Sequence, residues 1–224
     1  MIGKTRVYRR EPASGRLENL LLLLHGYGAD GNDLIGLADF MAPQLPDTLF
    51  LAPDAPEPNA FNPLGRQWFP IPSMDGASEA AAAKSLSAST GFLEGLIGKA
   101  MEEAGVDESR IVLLGFSQGT MLALHIAARW QRPFAGVIGF SGRLLAPENL
   151  RSETVSRPPI MLLHGDSDEV VPVAALSEAA SKLTEAGFSV RSHIFQGIGH
   201  QIDPEGLARA VEFARDQLKG RDVN

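Results

Sequence analysis

Short, continuously apolar runs alternate with longer segments of helical period along almost the whole chain, and this alternation restricts the fold more than any other feature. The runs are Leu20–His25 ("LLLLLH"), Thr48–Pro53 ("TLFLAP"), Arg110–Gly115 ("RIVLLG"), Phe134–Phe140 ("FAGVIGF"), Pro159–Gly165 ("PIMLLHG") and Ser189–Gln196 ("SVRSHIFQ"). Most lack the polar–apolar alternation of a half-solvated strand, so they read as strands covered on both faces. Between them, helical periodicity covers roughly Asp33–Met41, Ser78–Ala104, Gln118–Trp130, Val173–Ala186 and Pro204–Leu218. Ser78 and Asp203 are suitable N-caps, Pro172 and Pro204 fit first turns, and Gly105 and Gly187 fit the residues just past helix ends. Strand–helix–strand repetition predicts right-handed crossovers, a mostly parallel sheet and helices on both of its faces. "TRVYRR" near the amino terminus is expected to add an antiparallel edge strand.

With 224 residues, 44% of them hydrophobic, the chain can bury the core of one domain, and there is no internal repeat and no linker. A formal charge of -7 provides no basic field for nucleic acid. The absence of cysteine excludes a disulfide framework, a thiolate metal site and a thiol nucleophile. The first residues, "MIGKTRVYRREPASG", contain no apolar signal core, and the longest apolar run is too short to span a bilayer; a cytoplasmic protein without stable membrane insertion is expected. One stretch, Pro53–Gly76, holds six of the fifteen prolines and must run irregularly over the surface.

At the end of one apolar run stands Gly-Phe-Ser-Gln-Gly (115–119). A G-x-S-x-G string arises easily by chance, but this one follows a strand pattern and opens a helix pattern. That is the setting of a nucleophile on a sharp turn, with the next backbone N–H facing a developing oxyanion. Ser117 is therefore the candidate nucleophile. A serine hydroxyl needs an imidazole to take its proton and a carboxylate to orient that imidazole. Of the five histidines, His125 lies on the helix after Ser117 and His193 alternates within a strand. His25 and His164 end apolar strands before a glycine, where they can bond local backbone. His200, in the glycine-rich loop "FQGIGHQIDPEG", has the placement a base needs. The loop "LLHGDSDEVVP" offers Asp166, Asp168 and Glu169 as acids, and spacing does not choose between Asp166 and Asp168. The order Ser, Asp, His matches the α/β-hydrolase arrangement. For the second oxyanion donor, the turn in "LLLLLHGYGADGNDL" makes the backbone N–H of Tyr27 the candidate partner of that of Gln118.

"HGYGADGNDL", "GFSQG", "HGDSDEVVP" and "GIGH", in this order and spanning almost the whole chain, resemble the phospholipase/carboxylesterase family of small α/β-hydrolases, which includes acyl-protein thioesterases and bacterial carboxylesterases. The resemblance implies an α/β-hydrolase fold without a large cap domain. It implies a triad of Ser117, Asp168 (the second aspartate of "HGDSD") and His200, an oxyanion hole from the backbone N–H groups of Tyr27 and Gln118, and no cofactor or metal. "RQWFPIP" is similar to the family's Trp-Phe segment beside the acyl site, which implies that Trp68 and Phe69, with Val171 of "DEVVP", line the substrate pocket. Packing as a small core under the long loop is the other role open to Trp68 and Phe69. The implied partner is a small-molecule ester, and homodimers occur in the family. Tyr27 stands where relatives often carry a smaller or aliphatic residue, and the proline-rich loop also departs from them; both positions bear on acyl-chain choice. A thioesterase or acyltransferase on the same triad, or a ligand receptor that keeps a hydrolase site, are the rival functions. A dienelactone hydrolase is disfavoured because that family uses a cysteine nucleophile.

Overall fold

The computed structural model describes residues 5–219. Nine strands and eight α-helices follow in chain order: β1 (Val7–Arg10), β2 (Asn19–Leu24), α1 (Gly31–Ile35), α2 (Leu37–Met41), β3 (Thr48–Pro53), β4 (Glu57–Pro58), β5 (Arg66–Gln67), α3 (Pro72–Asp75), α4 (Glu79–Ala104), β6 (Ile111–Phe116), α5 (Gln118–Arg129), β7 (Gly136–Phe140), α6 (Leu150–Glu153), β8 (Ile160–Gly165), α7 (Ala174–Glu185), β9 (Val190–Phe195) and α8 (Pro204–Lys219). Seven strands form one sheet in the order β1-β3-β2-β6-β7-β8-β9. Only β1 is antiparallel, set against β3 with Val7 opposite Pro53; the other pairings are parallel. The six apolar runs and the amino-terminal edge strand all fall where periodicity places them.

The leucine run of β2 shows why such strands need no alternation. Successive side chains point to opposite faces, so Leu20, Leu22 and Leu24 join a core with α4, α5 and α7, while Leu21 and Leu23 join a second core with α1, α2 and α8. All five are fully buried. By area-transfer bookkeeping, each such leucine contributes roughly 1.5–3 kcal/mol over an exposed one.

Ser78 caps α4 through an acceptor bond from the N–H of Ala81, Gly105 ends it at φ 67°, and Asp203 receives the N–H groups of Glu205 and Gly206 at the start of α8. The segment Asp33–Met41, expected as one helix, is two short helices that meet at Gly36. The capping box of Asp30 and Asp33 starts the first of them two residues earlier than periodicity suggests. The excursion 53–76 contains the two-stranded β4–β5 ribbon and the single turn α3. No separate cap domain is built among the described residues, and no helix among them is long and apolar enough to cross a membrane.

Candidate active site

β6 ends one residue before Ser117, whose φ of 53° and ψ of -113° lie outside the regions that non-glycine residues ordinarily adopt. The turn is held from both sides: the N–H of Ser117 bonds the carbonyl of Phe140 at the end of β7 (2.8 Å), and its own carbonyl accepts the N–H groups of Thr120 and Met121 in α5. The flanking glycines are steric requirements. A Cβ on Gly115 would stand 2.4 Å from the backbone of Gly119, and one on Gly119 would stand 1.8 Å from the carbonyl oxygen of Leu24. Neither neighbour is a flexible side chain, so β2, β6 and α5 cannot close around the serine if either glycine carries a side chain. Gly119→Ala is accordingly expected to cost about 3 kcal/mol, with a matching drop in the urea midpoint; an unchanged midpoint would contradict the close approach.

The other two candidate residues come from the ends of β8 and β9. Asp168 is buried, and its Oδ1 accepts the N–H groups of Val170 (2.9 Å) and Val171 (2.8 Å) while its Oδ2 accepts Nδ1–H of His200 (2.8 Å). Burial works against the charge of this carboxylate, but the bonds from His200, Val171 and Val170 outweigh it and hold its pKa below the usual carboxylate range. The alternative, Asp166, is exposed and is engaged by the N–H of Gly197 and the Ser167 hydroxyl; Glu169 is exposed as well. The loop bearing His200 packs on the end of β8, where a Cβ on Gly165 would meet the carbonyl of Ile198 at 2.0 Å. The ring of Phe116 lies against that of His200, centroids 4.8 Å apart. With Nδ1 on Asp168, Nε2 is the His200 nitrogen left for proton transfer. Ser117 and His200 both line a cavity of about 840 Å³, walled by Ile71, Met74, Met121, Leu144, Leu145 and Val171. The hydroxyl of Ser117 makes no hydrogen bond among the described residues; such contacts commonly tighten only when substrate is bound.

Gly26 brings the β2 turn against Ser117: a Cβ there would lie 3.3 Å from the Cβ of Ser117. Tyr27 follows it, and Gln118 opens α5 beside the serine. Among the described residues, neither backbone N–H has an acceptor, as expected for Gln118 at a helix start. The phenol of Tyr27 donates to Oδ2 of Asp75 (3.0 Å), and burial foremost, with this bond, raises its pKa to about 12. The carboxylate of Asp75 also accepts the N–H groups of Ile71 and Ala77, so one residue pins the short turn that carries Ile71 and Met74 on the cavity wall.

Trp68 and Phe69 take the second of the two roles open to them. Their side chains do not line the cavity; Trp68 is fully buried and Phe69 nearly so, both in the large core shared with α4 and α5. Trp68 Nε1 donates to the His25 carbonyl (2.9 Å), its N–H bonds Oε1 of Gln118 (2.9 Å), its carbonyl accepts the Ser89 hydroxyl, and Nε2 of Gln118 donates to the Phe69 carbonyl (2.7 Å). The segment is thus an anchor that ties the long loop to the start of α5, and the wall beyond it is Ile71 and Met74. Sequence reasoning placed only the backbone of Gln118 in the site and missed its side chain, because residues about fifty positions apart leave no local signal. Of the remaining histidines, His25, His125 and His193 fall elsewhere. Buried His25 donates from Nδ1 to the Gly26 carbonyl and accepts the Ala55 N–H at Nε2, which fixes it neutral, and burial lowers its pKa. Burial foremost, then nearby Arg129, brings that of His125 on α5 to about 4. His193 sits in β9 beside Phe195.

A mostly parallel sheet with a serine on the strained turn after a central strand defines an α/β-hydrolase. Residues 10–218 match the family model described as phospholipase/carboxylesterase, and the chain belongs to that family. It is, by membership, a carboxylic ester hydrolase. Esterase YpfH of Escherichia coli (strain K12) is 31% identical over 203 residues, covering 90% of this chain and 82% of its own. Acyl-protein thioesterase 1 of Yarrowia lipolytica is 28% identical over 221 residues, covering 94% and 96%. The crystal structure of esterase PE8 superposes with a TM-score of 0.90 at 39% identity, covering 96% of this chain and all of that one.

Proposed function

We propose that the protein hydrolyses carboxylic esters of small or medium acyl chains, with Ser117 as nucleophile, His200 as general base and acid, and Asp168 as the carboxylate that orients it. The observation that carries this reading is a serine on a strained turn facing the same apolar cavity as an imidazole whose other nitrogen is held by a buried carboxylate. In the first step Nε2 of His200 removes the hydroxyl proton as Oγ bonds the ester carbonyl carbon. The charge that collects on the carbonyl oxygen is met by the N–H groups of Tyr27 and Gln118. The tetrahedral adduct collapses, the C–O bond to the alcohol breaks, and His200 returns the proton to the leaving oxygen. Water then enters by the same route, with His200 again taking its proton, and releases the acid. The cavity supports small and medium chains: at about 840 Å³ it has the size of a small-ligand site and is mostly apolar.

The test is hydrolysis of p-nitrophenyl esters from acetate to palmitate, with kcat/KM followed across pH. Turnover is expected to peak at short or medium chains and to rise with pH as a single group loses its proton. An enzyme without turnover on any ester, or with a palmitate optimum, would overturn the reading. A thioester reading draws on the relatives named acyl-protein thioesterase. Parallel assays of butyryl and decanoyl thioesters against oxygen esters of equal length separate the two.

A further inference from the structure

His164 is buried at the end of β8 and belongs to none of the steps above. Its Nε2 lies 2.8 Å from the carbonyl oxygen of Val171. A carbonyl only accepts, so this nitrogen carries a hydrogen. The same nitrogen lies 3.3 Å from Oδ2 of Asp168, the oxygen that receives His200, and the two side chains are 1% and 0% exposed. The ring N–H of His164 goes to that carbonyl, so the hydrogen bond to Oδ2 is made by His200, with the Nε2 edge of His164 beside it, while Oδ1 is held by the N–H groups of Val170 and Val171. His164 acts on the acid twice: it bonds the carbonyl of the residue whose N–H holds Oδ1, and it puts a positive N–H edge beside Oδ2. The next residue, Gly165, lets the His200 loop close on the strand, so the pair His164-Gly165 sets both members of the Asp168–His200 contact.

We propose that His164 is a positioning residue for the Asp168–His200 pair: its bond to the Val171 carbonyl fixes the backbone that holds Oδ1, and its N–H edge beside Oδ2 tempers the charge that His200 meets. This rests on the triad assigned under Proposed function. The charged or titratable groups facing His200 are Asp168 and, behind it, His164; across the cavity stand Tyr27, Arg143 and Glu178, with Asp75 bound to Tyr27, while Phe116 from β6 packs on the ring without titrating.

The sign follows from charge. With His164→Leu, Oδ1 keeps its two N–H donors, and the full charge of Oδ2 turns to His200 and favours its protonated form. The acid limb of kcat/KM is then expected to move up by about half to one pH unit, as removal of a partial positive charge at this distance implies at an intermediate dielectric. The plateau rate is expected to fall about tenfold, the scale of one lost hydrogen bond. His164→Gln, whose amide N–H can take the place of Nε2–H, is expected to bring the limb back to the wild-type position. The ring protons of His200, followed by NMR across pH in wild type, His164→Leu and His164→Gln, give the same midpoint without any need for turnover. An inactive wild type would therefore defeat the ester reading and leave this one to be decided by NMR. A midpoint that stays in place or moves to lower pH in His164→Leu, whatever the rate, would overturn the proposal and reduce His164 to packing. If circular dichroism shows that the leucine variant does not fold, His164→Asn, whose shorter amide falls short of the Val171 carbonyl, takes its place with the same two outcomes.

Discussion

Ser117→Ala is expected to lower kcat on p-nitrophenyl butyrate by about 10⁶-fold, some 8 kcal/mol of barrier at 1.36 kcal/mol per decade. The loss is this large because the hydroxyl begins the reaction, and of the other polar side chains that line the cavity, Tyr27 (bonded to Asp75), Ser73, Arg143, Glu178 and His200, none stands on the strained turn after a central strand. The fold should be indifferent. Alanine keeps Cβ, suffers the same strain at φ 53° and leaves the backbone bonds to Phe140, Thr120 and Met121 in place. A thermal midpoint within a few degrees of wild type, together with activity at background, is thus the expected pair of results. Activity within tenfold of wild type would move the nucleophile elsewhere. Ser141 would be examined next, since it follows β7 directly at φ 48° and its buried hydroxyl has no partner among the described residues.

Asp168→Asn is expected to reduce kcat by about 10⁴-fold with the fold retained. The hydrogen bonds dictate how. Oδ1 accepts two backbone N–H groups, so the amide oxygen of asparagine must stay there and its NH₂ must face His200. A donor opposite Nδ1 forces the hydrogen of the imidazole onto Nε2, and a base protonated on the nitrogen that should take the serine proton is the wrong tautomer. Asp166→Asn is the matched control and should keep near-full activity, since Asp166 binds Gly197 and an amide oxygen can do the same. If Asp168→Asn remains within tenfold of wild type while Asp166→Asn or Glu169→Gln falls, the acid has been assigned to the wrong member of the loop.

Much of this site could be read without coordinates because α/β architecture turns chain order into geometry. In a parallel sheet every strand ends at the same edge, so motifs at strand ends are brought together by topology alone. "GFSQG" after β6, "HGDSD" after β8 and "GIGH" after β9 needed no contact information to be grouped. The choice between Asp166 and Asp168 was another matter. Two residues of one loop differ in which way they face, and that is decided by the bonds from Val170, Val171 and Gly197, which no spacing rule contains.

The aromatic pair shows the same limit from the other side. Trp68 and Phe69 lie in an irregular loop, where no period tells inside from outside, and a large apolar side chain suits a pocket wall and a core equally. Bonds to Gln118, His25 and Ser89, residues scattered over the chain, put Trp68 in the core and leave Ile71 and Met74 at the cavity. The sequence by itself determined the sheet, the burial of β2 on both faces, the strained serine turn and the histidine at the sheet edge, because strand period, steric room and chain order are local or topological properties. The tertiary structure alone decided which aspartate meets His200, which aromatics are core, how Asp75 pins the cavity wall through Tyr27, and that a second buried histidine stands beside the acid. Those outcomes depend on hydrogen bonds between residues that only packing makes neighbours.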